Sequence, residues 1–283
     1  MPEYREGDLK RIWKTEIEIY QAIAKICENH GLRYYAAYGT VIGALRHKGF
    51  IPWDDDMDVC MPRRDYEAFL KYVETELPEK MGICGIGYTK GFVMPMVKIV
   101  NKKTVFVEES DQDKKYTCGI YVDVFPMDAA PPTEELKKKH RKRIMRLGRA
   151  MVLAEYPHGK LPEGMNPAVK AGVTAGCAVI HGVLRLFGLT AEKLNRVFEK
   201  EARRYETEEE PEEYELTAYF SEWATEYTKA EVIFPTTEMP FEDIMIKVPR
   251  LADKYIRDMY GDWTVIPPVE KRHNHCPVRL EFE

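Results

Sequence analysis

The sequence has no C-x-x-C pair, no Walker A loop, no G-x-S-x-G elbow and no dinucleotide fingerprint, since Gly82, Gly85 and Gly87 have the wrong spacing for the last. These absences argue against P-loop, serine-hydrolase and nicotinamide chemistry. Internal repeats and low-complexity linkers are missing too, which excludes a solenoid or a tethered array. The opening Met1-Pro-Glu-Tyr-Arg-Glu-Gly-Asp8 has no apolar core, so a cleaved leader is not expected. Six scattered cysteines, several of them in apolar runs, suit reduced thiols, and we therefore expect a cytoplasmic protein. A net charge of -5 does not suit a chain that coats nucleic acid. Long apolar runs are scarce as well. The single tempting one, Ala171 to Leu189, contains glycine, His181 and Arg185 and barely has the length to span a bilayer. A packed helix is expected there, with a helix lying on a membrane surface as the alternative.

What remains is enough for a sizeable core: 283 residues, 45% hydrophobic and 31% charged. Apolar residues at helical spacing from Leu9 to Ile26 predict a first helix, capped by Asp8 and ended by Gly31. Leu32 to Tyr38 reads as a strand and Val41 to Leu45 as a short helix. Arg63 to Leu77 predicts a second amphipathic helix. Strands are expected at Ile83 to Tyr88, Phe92 to Val100, Thr104 to Glu108 and Gly119 to Phe125. Pro131 and Pro132 then break the chain. Thr133 starts a strongly basic helix, followed by helices over Ala168 to Phe187 and Ala191 to Glu206 and a closing helix from Arg250 to Tyr260. The mixture predicts an α+β (mixed α/β) fold: a core with a mixed sheet flanked by helices over 1–132, and a mainly helical region over 133–283.

The most informative residues are Asp54, Asp55, Asp56 and Asp58, four carboxylates beside the apolar run Val59-Cys-Met61. Crowded carboxylates raise each other's pKa, and a buried one is costly unless paired or bound to a cation. Extended backbone puts Asp56 and Asp58 on one face, a two-carboxylate clamp for a hard divalent ion. A calcium loop fits poorly, because its sixth position would be Val59 and its twelfth Asp65. Asp123 lies in the apolar run Ile120 to Phe125, where only a partner justifies a charge; Asp128, after Pro126, reads as a turn residue. Gly39 and Thr40, between strand and helix, suit a phosphate cradle, and Arg46, His47 and Lys48 add positive charge. Lys98 is a charge inside the apolar run Met96 to Ile99, suited either to a phosphate or to snorkelling at an edge. His273, His275 and Cys276 lack zinc spacing and read as a surface loop.

The run from Gly39 to Tyr66, with Pro52-Trp-Asp-Asp-Asp-Met-Asp58 at its centre, resembles the signature of the LicD family, which includes bacterial phosphocholine transferases and is related to the fukutin-type transferases. Gly119-Ile-Tyr-Val-Asp-Val-Phe-Pro-Met-Asp128, Phe241-Glu-Asp243 and Tyr260-Gly-Asp-Trp263 extend the resemblance. It implies a nucleotidyltransferase-type core in which Asp56, Asp58 and Asp123 hold one or two magnesium ions, with manganese as the alternative. It also implies transfer of phosphocholine from cytidine diphosphate choline to a hydroxyl of a cell-surface glycan or teichoic acid precursor, free or lipid-linked, at the inner face of the membrane. Ribitol-phosphate or nucleotidyl transfer on the same fold, or a catalytically silent nucleotide-binding module, are the alternatives. A choline pocket would need an aromatic cage, for which Tyr34, Tyr35, Tyr38, Trp53, Tyr88 and Trp223 are candidates.

Overall fold

The computed structural model of the chain describes residues 4–158, 165–208, 214–220 and 227–282. Its elements begin with α1 (Asp8–Asn29), β1 (Tyr35–Ala36), α2 (Tyr38–His47), β2 (Asp58–Pro62), α3 (Arg63–Glu76), β3 (Met81–Gly85), β4 (Val97–Asn101), β5 (Val105–Val107) and β6 (Tyr121–Ala129). They continue with α4 (Glu134–Glu155), α5 (Pro167–Leu186), α6 (Ala191–Ala202), β7 (Glu215–Thr217), β8 (Thr228–Lys229), α7 (Ala230–Ile233), β9 (Thr237–Phe241), β10 (Ile244–Val248), α8 (Ala252–Tyr260) and β11 (Arg279–Glu281).

The main sheet has the order β1-β2-β6-β4-β3, with β7 added to β6 and β8 beside β7. Its β2 and β6 run parallel and the other pairs antiparallel. The mixed sheet flanked by helices is the architecture the pattern predicts. β6 is its centre and is buried over eight of its nine residues, which explains why apolar residues occupy both of its faces rather than alternate with polar ones. Buried Ile12, Glu16, Ile19, Tyr20, Ile23 and Ile26 of α1 recur three and four apart, so one stripe of that helix covers the sheet.

Several boundaries differ from expectation. Gly7, in the left-handed conformation, takes the cap position of α1, and Asp8 is the first helical residue. The expected strand from Leu32 shrinks to β1, because after Ala37 donates to the Asp58 carbonyl at 2.9 Å the chain turns at Tyr38 into α2. Strand pairing also crosses the expected division at 132/133. β7 pairs with the end of β6, β11 pairs with β5, and the β9–β10 hairpin and α8 pack on α2. Without those later strands β5 and the end of β6 would be open edges. Cys27 and Cys60 are buried free thiols, whereas Cys84 and Cys118, expected as reduced, are joined to each other. The largest departure is α5, expected as a packed helix, of which no residue is buried.

α4 and α6 pack through Ile144, Met151, Leu194 and Phe198, with His140 buried between them. Its Nε2–H donates to the Glu201 carbonyl at 2.7 Å, and its Nδ1 accepts from the Tyr219 hydroxyl at 2.8 Å. This pattern requires a neutral ring. Burial holds its pKa down, with Arg204 acting the same way against the opposing pull of Glu201 and Asp128. The unfolded chain, with a histidine pKa of about 6.5, therefore takes up this proton more readily than the folded one. Its contribution is fully present above that value and is lost as the pH falls below it. Urea unfolding at pH 7.5 and 5.5 should show a smaller acid loss of stability in His140→Gln than in the parent; equal losses would remove His140 from the account.

Candidate active site

The centre of the site is a row across three strands. In the register of the sheet Asp58 of β2 lies opposite Asp123 of β6, which lies opposite Lys98 of β4. All three are more than nine-tenths buried, and residues paired across neighbouring strands share a face. Lys98 Nζ stands 3.1 Å from Asp123 Oδ1 and 3.2 Å above the centre of the Tyr121 ring. The Lys98 ammonium is thus the charged neighbour of Asp123 Oδ1, an oxygen closed off from solvent. Burial raises the Asp123 pKa to about 6, with the Asp56 charge adding to the rise and Lys98 opposing it. Asp58 is raised well above the usual range by burial and by Asp56, Asp123 and Asp54. Lys98 thus serves Asp123, a role that neither sequence reading of it included.

The loop before β2 is braced from remote parts of the chain. Trp13 of α1 donates its indole N–H to the Asp54 carbonyl at 2.8 Å and stacks on Phe50. One turn on, Glu16 is buried with Oε2 unpartnered, and its pKa is pushed up by burial and by Asp56, Asp55 and Asp54. Asp55 accepts from the Tyr4 hydroxyl, from the His275 backbone N–H at 3.0 Å and from His275 Nδ1 at 3.0 Å. Asp56 Oδ2 is 3.8 Å from the same imidazole nitrogen. Burial works to lower the His275 pKa, but the hydrogen bond to Asp55 and the charges of Asp56, Asp55 and Glu108 raise it to about 10. His275 lies on the surface loop expected for it, its side chain 37% exposed, and its ring is turned onto the carboxylates of Asp55 and Asp56.

The residues expected to hold phosphate divide. Gly39 opens α2 against Asp54: a β-carbon there would come within 3.0 Å of Asp54 Oδ2. Thr40 is buried and its hydroxyl accepts the Asp58 N–H at 2.9 Å, so it positions an acid directly. Arg46 donates from Nε to His47 at 2.9 Å and from NH1 to the Trp263 carbonyl at 2.7 Å. His47 accepts as a neutral ring, its pKa lowered by burial and by the Arg46 charge. Lys48 is exposed at the left-handed end of α2. Of the aromatic candidates, Tyr34, Tyr35 and Tyr38 are core residues, and Tyr88 is exposed and bonded to Glu74. Trp53 lies beside His47 with the Arg272 guanidinium over its face, and Trp223 lies outside the described residues.

The donor set is hard oxygen, the type that divalent magnesium or manganese prefers. Asp56, Asp58 and Asp123 fit such an ion on two observations: Asp58 and Asp123 are paired across neighbouring strands, and the Asp56 charge raises the pKa of both. Among the described residues the side chains as they stand form no ready-made cluster of three or more His, Cys, Asp or Glu ligands.

Residues 31–147, which span both acidic strands and the α2 turn before them, match the family profile described as LicD/FKTN/FKRP, nucleotidyltransferase domain. That segment is similar to LicD-family domains. Over 126 residues the chain is 33% identical to the lipopolysaccharide cholinephosphotransferase LicD of Haemophilus influenzae, covering 43% of this chain and 46% of that protein. It is 26% identical over 124 residues to an uncharacterised protein of Rickettsia prowazekii, covering 42% of each. The matches thus span about half the length of these curated relatives. Two motifs beyond the matched segment fold back onto it. Glu242, at the β9–β10 turn, donates its N–H to the Lys48 carbonyl and accepts from the Phe50 N–H, bracing the loop that leads to the aspartates. The Trp263 carbonyl receives Arg46.

Proposed function

We propose that this chain is a magnesium-dependent phosphotransferase that moves a substituted phosphate, phosphocholine first among them, from a cytidine diphosphate donor to a glycan hydroxyl such as one on lipopolysaccharide or a teichoic acid precursor. The observation that carries the reading is Asp58 in register with Asp123, with Asp56 two residues before, inside a LicD-type domain. Asp56, Asp58 and Asp123 would hold the metal, which when bound would supply charge neutralisation at the donor's phosphates. Thr40 fixes Asp58 through its backbone, and Lys98 keeps Asp123 ionised through their ion pair. Asp123, buried at the centre of the row, would take the proton of the acceptor hydroxyl. The hydroxyl oxygen then bonds to the phosphorus that bears the choline, its bond to the bridging oxygen breaks, and cytidine monophosphate leaves. Positioning and charge stabilisation supply most of the acceleration.

One observation favours the ribitol-phosphate alternative: three of the aromatic candidates for a choline cage are core residues, and Arg272 covers the face of Trp53. Calorimetry with cytidine diphosphate choline and cytidine diphosphate ribitol, each with magnesium, separates the donors, and metal-dependent release of cytidine monphosphate tests the reaction. Release from the choline donor with a glycan acceptor is expected. Neither binding nor release with either donor would sink the reading, and binding without release would leave a silent nucleotide-binding module.

A further inference from the structure

Helix α5 is built inside out. Cys177, His181 and Leu184, at i, i+4 and i+7, form its half-buried row, and the His181 ring bonds to the Leu153 carbonyl of α4 through Nδ1 at 2.7 Å. At 3.6 residues per turn, Lys170, Thr174 and Arg185 fall within about 40° of His181. The opposite half is apolar from end to end and open to solvent: Val169, Val173, Ile180, Val183, Leu186 and, just past the helix, Phe187. Leu186 and Phe187 are 82% and 73% exposed. An apolar face of this extent on a charged protein marks a place of contact.

The neighbouring helix indicates the chemistry of what covers it. Lys142, Arg146 and Arg149 make one exposed row of α4, at i, i+4 and i+7, without an ion pair among the described residues. The row leads to Leu153, the residue that holds His181. A cationic row beside an apolar strip matches the boundary between anionic headgroups and acyl chains. α5 has the length and apolarity to cross a bilayer, but a single crossing would put α4 and α6 on opposite sides, and these two helices pack on each other. A second copy docked by a two-fold axis would bring cationic row near cationic row, and both molecules carry net negative charge. We propose that α5 docks the protein flat onto an anionic lipid bilayer, with the α4 row as its electrostatic partner. The proposal does not depend on the reaction proposed above.

The test is co-sedimentation of the full chain with vesicles of phosphatidylcholine alone and of phosphatidylcholine mixed with phosphatidylglycerol, backed by sedimentation velocity without lipid. Binding to the anionic vesicles should exceed binding to the neutral ones by at least about tenfold and weaken with salt. Ile180→Asp with Leu186→Asp, and separately Lys142→Glu with Arg146→Glu and Arg149→Glu, should each lower it at least about tenfold. Circular dichroism should be unchanged in both, since every altered residue is exposed. A full chain that stays in the supernatant at low salt overturns the proposal, as does binding that survives both variants. Self-association without lipid binding, abolished by the α5 variant, would give the face to a second copy instead.

Discussion

Asp58→Asn is expected to abolish turnover in a protein that is folded and slightly more stable than the parent. Asp58 is buried among Asp56, Asp123 and Asp54, and their charges add to burial in opposing its ionisation. Replacing it by a neutral isostere removes that repulsion and leaves intact the backbone N–H that Thr40 receives. One pKa unit corresponds to about 1.4 kcal/mol, so a gain on the order of 1 kcal/mol, or roughly 2 °C in Tm, is expected. Activity should fall by about 10³-fold or more, since a ligand to a charge-neutralising metal contributes several kcal/mol. A third readout links the two. Magnesium in excess should raise the Tm of the parent, because an ion that binds only the folded chain stabilises it, and should do so far less in the variant. A variant that is less stable and still active would mean that Asp58 is a structural group held by the fold.

The acids were legible in the sequence because charge inside an apolar run has no local explanation, and the same reasoning singled out Lys98. That Asp58 and Asp123 share one register is a long-range property, reachable only through the resemblance. The residues that hold the acidic loop were harder to see. His275 sits on a surface loop, as expected, but it meets Asp55 across 220 positions, and a stretch with neither helical nor alternating periodicity gives no sign of that partner. Glu16 lies on the buried stripe of α1 and was hidden by it. For α5 the hydropathy of a buried helix and an uncovered one is the same. The signal that separates them is the grouping of Lys170, Thr174, His181 and Arg185 on one side, and its meaning depends on where α4 lies.

Asp128 was expected in a turn and instead forms a buried ion pair that fixes the geometry of the site. Arg63, the first residue of α3, donates from Nε and NH2 to the two Asp128 oxygens, each at 2.8 Å, with 4% and 1% of the residues exposed. Arg63 lies five residues beyond Asp58 and Asp128 five beyond Asp123, so the pair continues the β2–β6 register that sets the two acids opposite each other. A slip of one residue would face Asp58 with Val122 or Val124 and turn the metal site apart. Asp128→Leu should therefore cost about 3–5 kcal/mol, since it strands a buried guanidinium, lowering Tm by roughly 10 °C. Arg63→Met combined with Asp128→Leu should recover most of that loss, because hydrophobic replacement of a buried pair is often neutral. If the pair guards register as well as stability, the recovered protein will still lose turnover while its Tm stands near the parent's. Full activity in the stable double variant would reduce the pair to packing and leave the strand ladder alone to align Asp58 with Asp123.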